Sequence, residues 1–358
     1  MIDDMFVFNA VAHAYDMSDA NTRENHYAAA VREGLVAMHR DLQPGLGVDD
    51  AHQKTDWPIE LLARTLFLES DVDLAATHTL RLDSYFHDGL CSRAKTVEAV
   101  RRWPGRFVAY LGVDPTQGLD ACLADLDQQI DEIPEAVGLK LYPAQVDPLR
   151  SWRMDDPGLA LPLFERAQEH GIKTVAVHKA APLGPVPLNP YRVDDIDIAA
   201  DAFPGLAFEI VHAGMAFVEE TALAIARFPN VYANLEGTTA LLNAFPAMFE
   251  QVLGTFLFWG GPSKIIYSDG SMVIHSQPFL DSFKDYTFSD AALQRYGIPQ
   301  LTAEDRASIL GGNYARLLGI DPAERLAMIA EDEFSKEKAA TGRQAPYSNW
   351  KAHLAAVA

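Results

Sequence analysis

Three histidines and one aspartate each close a short apolar, β-rich run: His13 after MFVFNAVA, His178 after KTVAV, His212 after LAFEIV, and Asp269 in KIIYSDG. Imidazole nitrogens and a carboxylate are ligand types that zinc, manganese and iron accept. The same groups move protons near neutral pH. One histidine at a strand end is more often a hydrogen-bonded structural residue, and an Asp-Gly pair is more often a turn. Four such residues, all at strand ends, are much harder to obtain by chance. They lie far apart in the chain, so only a fold can gather them.

The elements that would do so are eight apolar runs: 5–13, 72–79, 107–114, 137–143, 173–179, 206–214, 230–237 and 264–270. Amphipathic stretches separate most of them, including 118–134, 156–171 and 216–229. The first places Leu119, Cys122, Leu123, Leu126 and Ile130 at helical spacing with acids opposite. The second opens on Asp155-Asp156-Pro157, a carboxylate cap with an early proline, and closes at Gly171. This alternation predicts the α/β class and a (β/α)8 TIM barrel, with an open doubly wound sheet as the competing arrangement. In a barrel the C-terminal strand ends meet on one face, which carries the active site.

Three segments depart from the repeat. Residues 14–60 form an insertion after strand 1, expected over the barrel mouth or at a subunit contact. Residues 180–200 are proline-rich, as a shaped loop would be. Residues 321–358 are polar and helix-prone, a C-terminal helical tail expected on the surface or on a partner subunit. The division is thus one barrel over 1–320 and an extension over 321–358.

Composition narrows the partners. A net charge of −21 disfavours nucleic acid, because phosphate binding needs a basic surface. No apolar run reaches the ~18 residues of a membrane span, and MIDDMFVF lacks a signal-peptide pattern. Cys91 and Cys122 form no CxxC pair, which fits a reducing cytoplasm. The expected partner is a small molecule.

Several residues have two readings. Lys140, Lys179 and Arg81 could grip a substrate anion, or simply sit at the barrel rim. Glu236, closing the seventh run, could be an acid or a ligand, or a rim salt bridge. His26, His39, His52, His170 and His353 fall in helical or loop stretches and read as surface residues. His78, His87 and His275 are within reach of the mouth with no assigned role.

The stretches DDPGLALPLFERAQEHGIKTVAVHKA, AFPGLAFEIVHAGM, KIIYSDG and ILGGNYARLLGID, with RRWPGRFVAYLGVDP and VGLKLYPA, occur in an order and spacing that resembles a known family. It is the amidohydrolase-related TIM-barrel family typified by aminocarboxymuconate-semialdehyde decarboxylase, and the likeness spans most of residues 1–320. That family ends its first strand D-x-H-x-H. Here FNAVAHAYD puts Asn9 at the aspartate, Val11 at the first histidine and His13 at the second. Valine cannot ligate a metal. The resemblance therefore implies one divalent ion, zinc first with manganese or iron as alternatives, on His13, His178 and Asp269, held more weakly than by a full set. His212 would contact substrate, and Asn9, Val11, Arg81, Lys140, Lys179 and Glu236 would line its site.

The implied activity is a metal-dependent hydrolase of a small ring-bearing substrate, with Asp269 and His212 catalytic and Asp269 transferring the proton. A non-oxidative decarboxylase is the first alternative, and a catalytically silent binding barrel the second. The resemblance also implies a homo-oligomer, a dimer.

Overall fold

The computed structural model describes residues 1–43 and 45–357, so Pro44 in the insertion and Ala358 in the tail lie outside it. Eight parallel strands form one sheet: β1 (Phe8–Ala12), β2 (Leu74–His78), β3 (Phe107–Gly112), β4 (Gly138–Leu141), β5 (Thr174–His178), β6 (Ala207–Val211), β7 (Val231–Asn234) and β8 (Ile265–Ile266). Each lies within a run predicted from sequence. The runs read as continuously apolar because strands of a barrel are covered on both faces. The sheet closes where Ala10 N donates to Tyr267 O at 3.1 Å and Gly270 N to Val11 O at 3.2 Å. Closure excludes the open doubly wound sheet.

Helices cross between the strands. Leu119–Glu132 buries Cys122, Leu126 and Gln129. Gln129 clamps β3 by accepting from Gly112 N and donating to Gly112 O. The helix expected from 156 runs over Ala160–Glu169 instead. Asp156 spends its side chain on Gly158 N at 2.8 Å, closing a local turn rather than capping a helix.

The barrel interior is layered. Near its lower end Glu209 accepts from Tyr110 OH (2.5 Å), Thr174 Oγ1 (2.6 Å) and Asn234 Nδ2 (2.7 Å). Above it lie Lys140 and His78, both fully buried, and above those the histidines at the strand ends.

The insertion covers the mouth through helix His26–Leu42, whose N-cap Asn25 accepts from Ala28 N. His39 on this helix was expected at the surface. It is buried, bonded through Nδ1 to Val273 O and through Nε2 to Val48 N. It belongs to the helix face that also buries Leu35 and Val36, and it fastens the cover to the loop after β8.

The tail forms helices Pro322–Ile329, Glu333–Thr341 and Ser348–Val357. It packs on its own barrel, with Phe334, Tyr347 and Trp350 buried and Trp350 edge-on to Trp57 at 4.7 Å. Among the described residues no helix is long and apolar enough to cross a membrane.

Candidate active site

β1, β5, β6 and β7 bring His13, His178, His212 and Glu236 into one cluster at the C-terminal face. His13 Nε2 lies 3.2 Å from Glu236 Oε1. His212 Nε2 lies 3.0 Å from His178 Nδ1 and 3.5 Å from Glu236 Oε2. Lys140 Nζ approaches from below, 3.7 Å from Glu236 Oε2. Local backbone makes this possible. His212 adopts φ 64, a left-handed conformation uncommon outside glycine. Gly270, at φ +77, leaves room for Glu236, since a Cβ there would come within 2.9 Å of its Oε1.

Burial alone would push the Glu236 carboxyl upward. His212, Lys140 and His13 outweigh it and hold the group ionised, well below the usual carboxylate range. Burial lowers His13, His212 and, furthest, His178. It lowers Lys140 as well.

With both rings in the neutral form, the His178–His212 contact is informative. His212 Nδ1 faces the Glu236 carbonyl oxygen at 3.1 Å, and His178 Nε2 faces the Ala181 carbonyl oxygen at 2.8 Å. Carbonyls only accept, so each ring spends its single N–H outward. Two lone pairs, His212 Nε2 and His178 Nδ1, are left facing one another beside the unpartnered Glu236 Oε2. Such a contact is favourable only with a cation between or beside the donors. No three His, Cys, Asp or Glu side chains among the described residues form a ready metal cage. The chemistry of the donor set nevertheless fits a divalent ion at His178, His212 and Glu236.

Asp269 is placed differently from expectation. Its Oδ1 accepts from Asn9 Nδ2 (2.7 Å), Ser271 N (2.9 Å) and Ser271 Oγ (2.9 Å), and its Oδ2 from Tyr267 OH (2.7 Å). Oδ1 stitches β1 to the segment after β8 through Asn9, Oδ2 stays within that segment, and among the described residues His13, His178 and Asp269 are not gathered as one ligand set. Asn9 is the other half of that seam, its Oδ1 also accepting from Val11 N at 3.1 Å. Val11 is fully buried and is not among the residues lining the cavity.

The expected cations are also spent elsewhere. Arg81 pairs with Asp83 and Asp125 and lines an outer cleft rather than the central cavity. Lys179 is buried against Asp195, 2.8 Å from each carboxylate oxygen. Of the other histidines, His78 stacks on Tyr110 inside the barrel, His87 is exposed, and His275 pairs with Glu69 beneath the tail.

A cavity of about 130 Å³ lies over the cluster. His178, His212, Glu236 and Asp269 form its polar edge. Its walls are apolar or aromatic, with Leu35 and Met38 from the covering helix, Leu183 from the proline-rich loop, and Tyr15 and Tyr142. Sequence reasoning missed both tyrosines. Each follows a singled-out residue by two positions, Tyr15 after His13 and Tyr142 after Lys140, and that spacing was the available signal.

Comparison with known proteins agrees with the barrel fold. No curated protein sequence matches the chain. An uncharacterised TIM-barrel protein from Bordetella bronchiseptica superposes with a TM-score of 0.62 at 16% identity, covering 88% of this chain and 99% of its own. A probable 2-pyrone-4,6-dicarboxylic acid hydrolase from Acinetobacter baumannii gives 0.50 at 12%, covering 88% and 100%. A 5-carboxyvanillate decarboxylase from Novosphingobium aromaticivorans, with bound manganese, gives 0.52 at 12%, covering 88% and 98%. At these identities the likeness is one of fold. The amidohydrolase family model matches residues 89–320, beginning after the strand that carries Asn9 and Val11. That match spans more than half the sequence, and the chain belongs to the amidohydrolase family of barrel enzymes.

Proposed function

We propose that this enzyme hydrolyses a small, uncharged, ring-bearing carbonyl compound such as a lactone or cyclic amide. The observation that carries the reading is the charge of the cavity. Glu236 is held ionised with one oxygen unpartnered, and no lysine or arginine is among the described residues that line the wall. A substrate carboxylate would find no cation side chain to receive it. A neutral carbonyl meets no such penalty, and a volume near 130 Å³ suits a single ring.

Glu236 is the base in this reading. It takes a proton from water, whose oxygen bonds to the carbonyl carbon. The ring C–O or C–N bond then breaks, and the proton returns to the departing oxygen or nitrogen. Glu236 replaces Asp269, whose two oxygens are occupied by four donors. His178 and His212, with Glu236, would hold one divalent ion. Bound there, such an ion supplies Lewis acidity and lowers the pKa of nearby water. His13 orients Glu236 through its 3.2 Å contact, and the apolar cover excludes bulk water. The unpartnered Oε2 of this buried carboxylate argues against a silent barrel, because burying a charge without satisfying it is costly.

The test supplies zinc, manganese or iron singly and offers lactones, cyclic amides and hydroxybenzoates, following acid release and CO2 in parallel. Ring opening is expected. Release of CO2 alone would replace hydrolysis by decarboxylation. Metal analysis of protein purified without chelator is expected to find about one ion per chain, lost in His212→Ala. We also propose a homodimer. Phe245 precedes helix Pro246–Gly260, which leaves Met248, Phe258 and Trp259 exposed and carries a single charged residue, Glu250. A single monomer mass by light scattering at micromolar concentration would refute the dimer.

A further inference from the structure

We propose that the hydroxyls of Tyr15 and Tyr142 form a two-donor clamp for a carbonyl oxygen of the substrate. Both side chains are buried and both line the cavity. Their hydroxyls make no hydrogen bond to the described protein, unlike those of Tyr85, Tyr110, Tyr267, Tyr314 and Tyr347. Neither hydroxyl is sealed away from accessible space, so two donors free of protein partners on one small cavity mark where an acceptor is meant to sit.

The rings are fixed in place. Tyr15 stacks between His13 (5.3 Å) and Trp57 (5.2 Å). Tyr142 stacks on His178 at 4.8 Å, with Lys140 Nζ 5.5 Å from its ring centre. Donors held this way are set before the ligand arrives, which is the condition for stabilising charge on a reacting oxygen.

The rest of the wall completes the argument. Glu236 and Asp269 are acceptors, and in the neutral rings the inward atoms of His178 and His212 are lone pairs. The two phenols are therefore the side-chain donors that the described cavity wall offers. A ligand that fits must present an uncharged acceptor oxygen on an otherwise apolar ring. The inference rests on the proposed hydrolase reading only for the statement that this oxygen belongs to the reacting carbonyl.

Two ring probes test it without turnover: cyclohexanone, and methylenecyclohexane, which carries a CH2 in place of the oxygen. The ketone cannot be hydrolysed, so failure of the hydrolase reading leaves the measurement intact. By isothermal titration of the protein as purified, the ketone is expected to bind about tenfold tighter than the olefin, the equivalent of two modest hydrogen bonds. That advantage should shrink in Tyr15→Phe and in Tyr142→Phe and vanish in the double variant, with olefin affinity unchanged within about twofold. Equal binding of both probes to the unsubstituted protein, binding of neither, or an advantage surviving in the double variant would each overturn the proposal.

Discussion

At the residue scale, two carboxylates border the same cavity and do opposite work. Glu236 is ionised with one oxygen unpartnered, whereas both oxygens of Asp269 accept from protein donors. Glu236→Gln keeps the shape and removes the base. It is expected to cut hydrolytic turnover by ~10²–10⁴-fold, read by pH-stat, with melting little changed. Asp269→Asn sets an amide N–H2 against the donors of Asn9, Tyr267 or Ser271. It is expected to cost about 1–3 kcal/mol of stability, read by urea unfolding. Unchanged stability with lost activity would return Asp269 to the proton-transfer role. The sequence exposed His13, His178 and His212 because position at a strand end is visible in a string of residues. It weighed Glu236 evenly against a rim salt bridge, since partners are not visible. The Asn9–Asp269 bond joins residues 260 apart and left no trace to read.

At the element scale, legibility followed burial pattern. Strands covered on both faces are short, apolar and bounded by turns, and all eight were found with ends displaced by a few residues. The tail lacked any such periodicity. Its burial depends on a few large side chains, Phe334, Tyr347 and Trp350, set among polar ones, and so it read as surface. Trp350 shows no exposed area and packs on Trp57 and Tyr347. Trp350→Ala is expected to cost roughly 3–5 kcal/mol, measured by chemical denaturation. A change below ~0.5 kcal/mol, the range of ordinary surface substitutions, would show that the tail is not part of the cooperative fold.

At the scale of the whole molecule, the tail and the barrel are joined through one buried carboxylate. Glu69 follows helix Ile59–Phe67 and is fully buried. It accepts from His275 Nε2 (3.1 Å), Tyr347 N (2.7 Å), and Asn349 N and Nδ2 (2.7 Å each). Burial raises its pKa, but His275 and the Asn349 donors more than offset this, and the net shift is downward. A group depressed in the folded state favours folding above its unfolded pKa, about 4.3 for glutamate. That contribution is lost as pH falls through the lower folded value, because the unfolded chain then binds more protons. Thermal midpoints should therefore decline below about pH 5, with the tail loosening from the barrel as the carboxylate protonates. Glu69→Gln is expected to melt lower at pH 7 and to lose less over the same acid interval, since it has no proton to gain there. Melts of both proteins from pH 7 to pH 3 decide the matter, and parallel curves would show that another group governs acid stability.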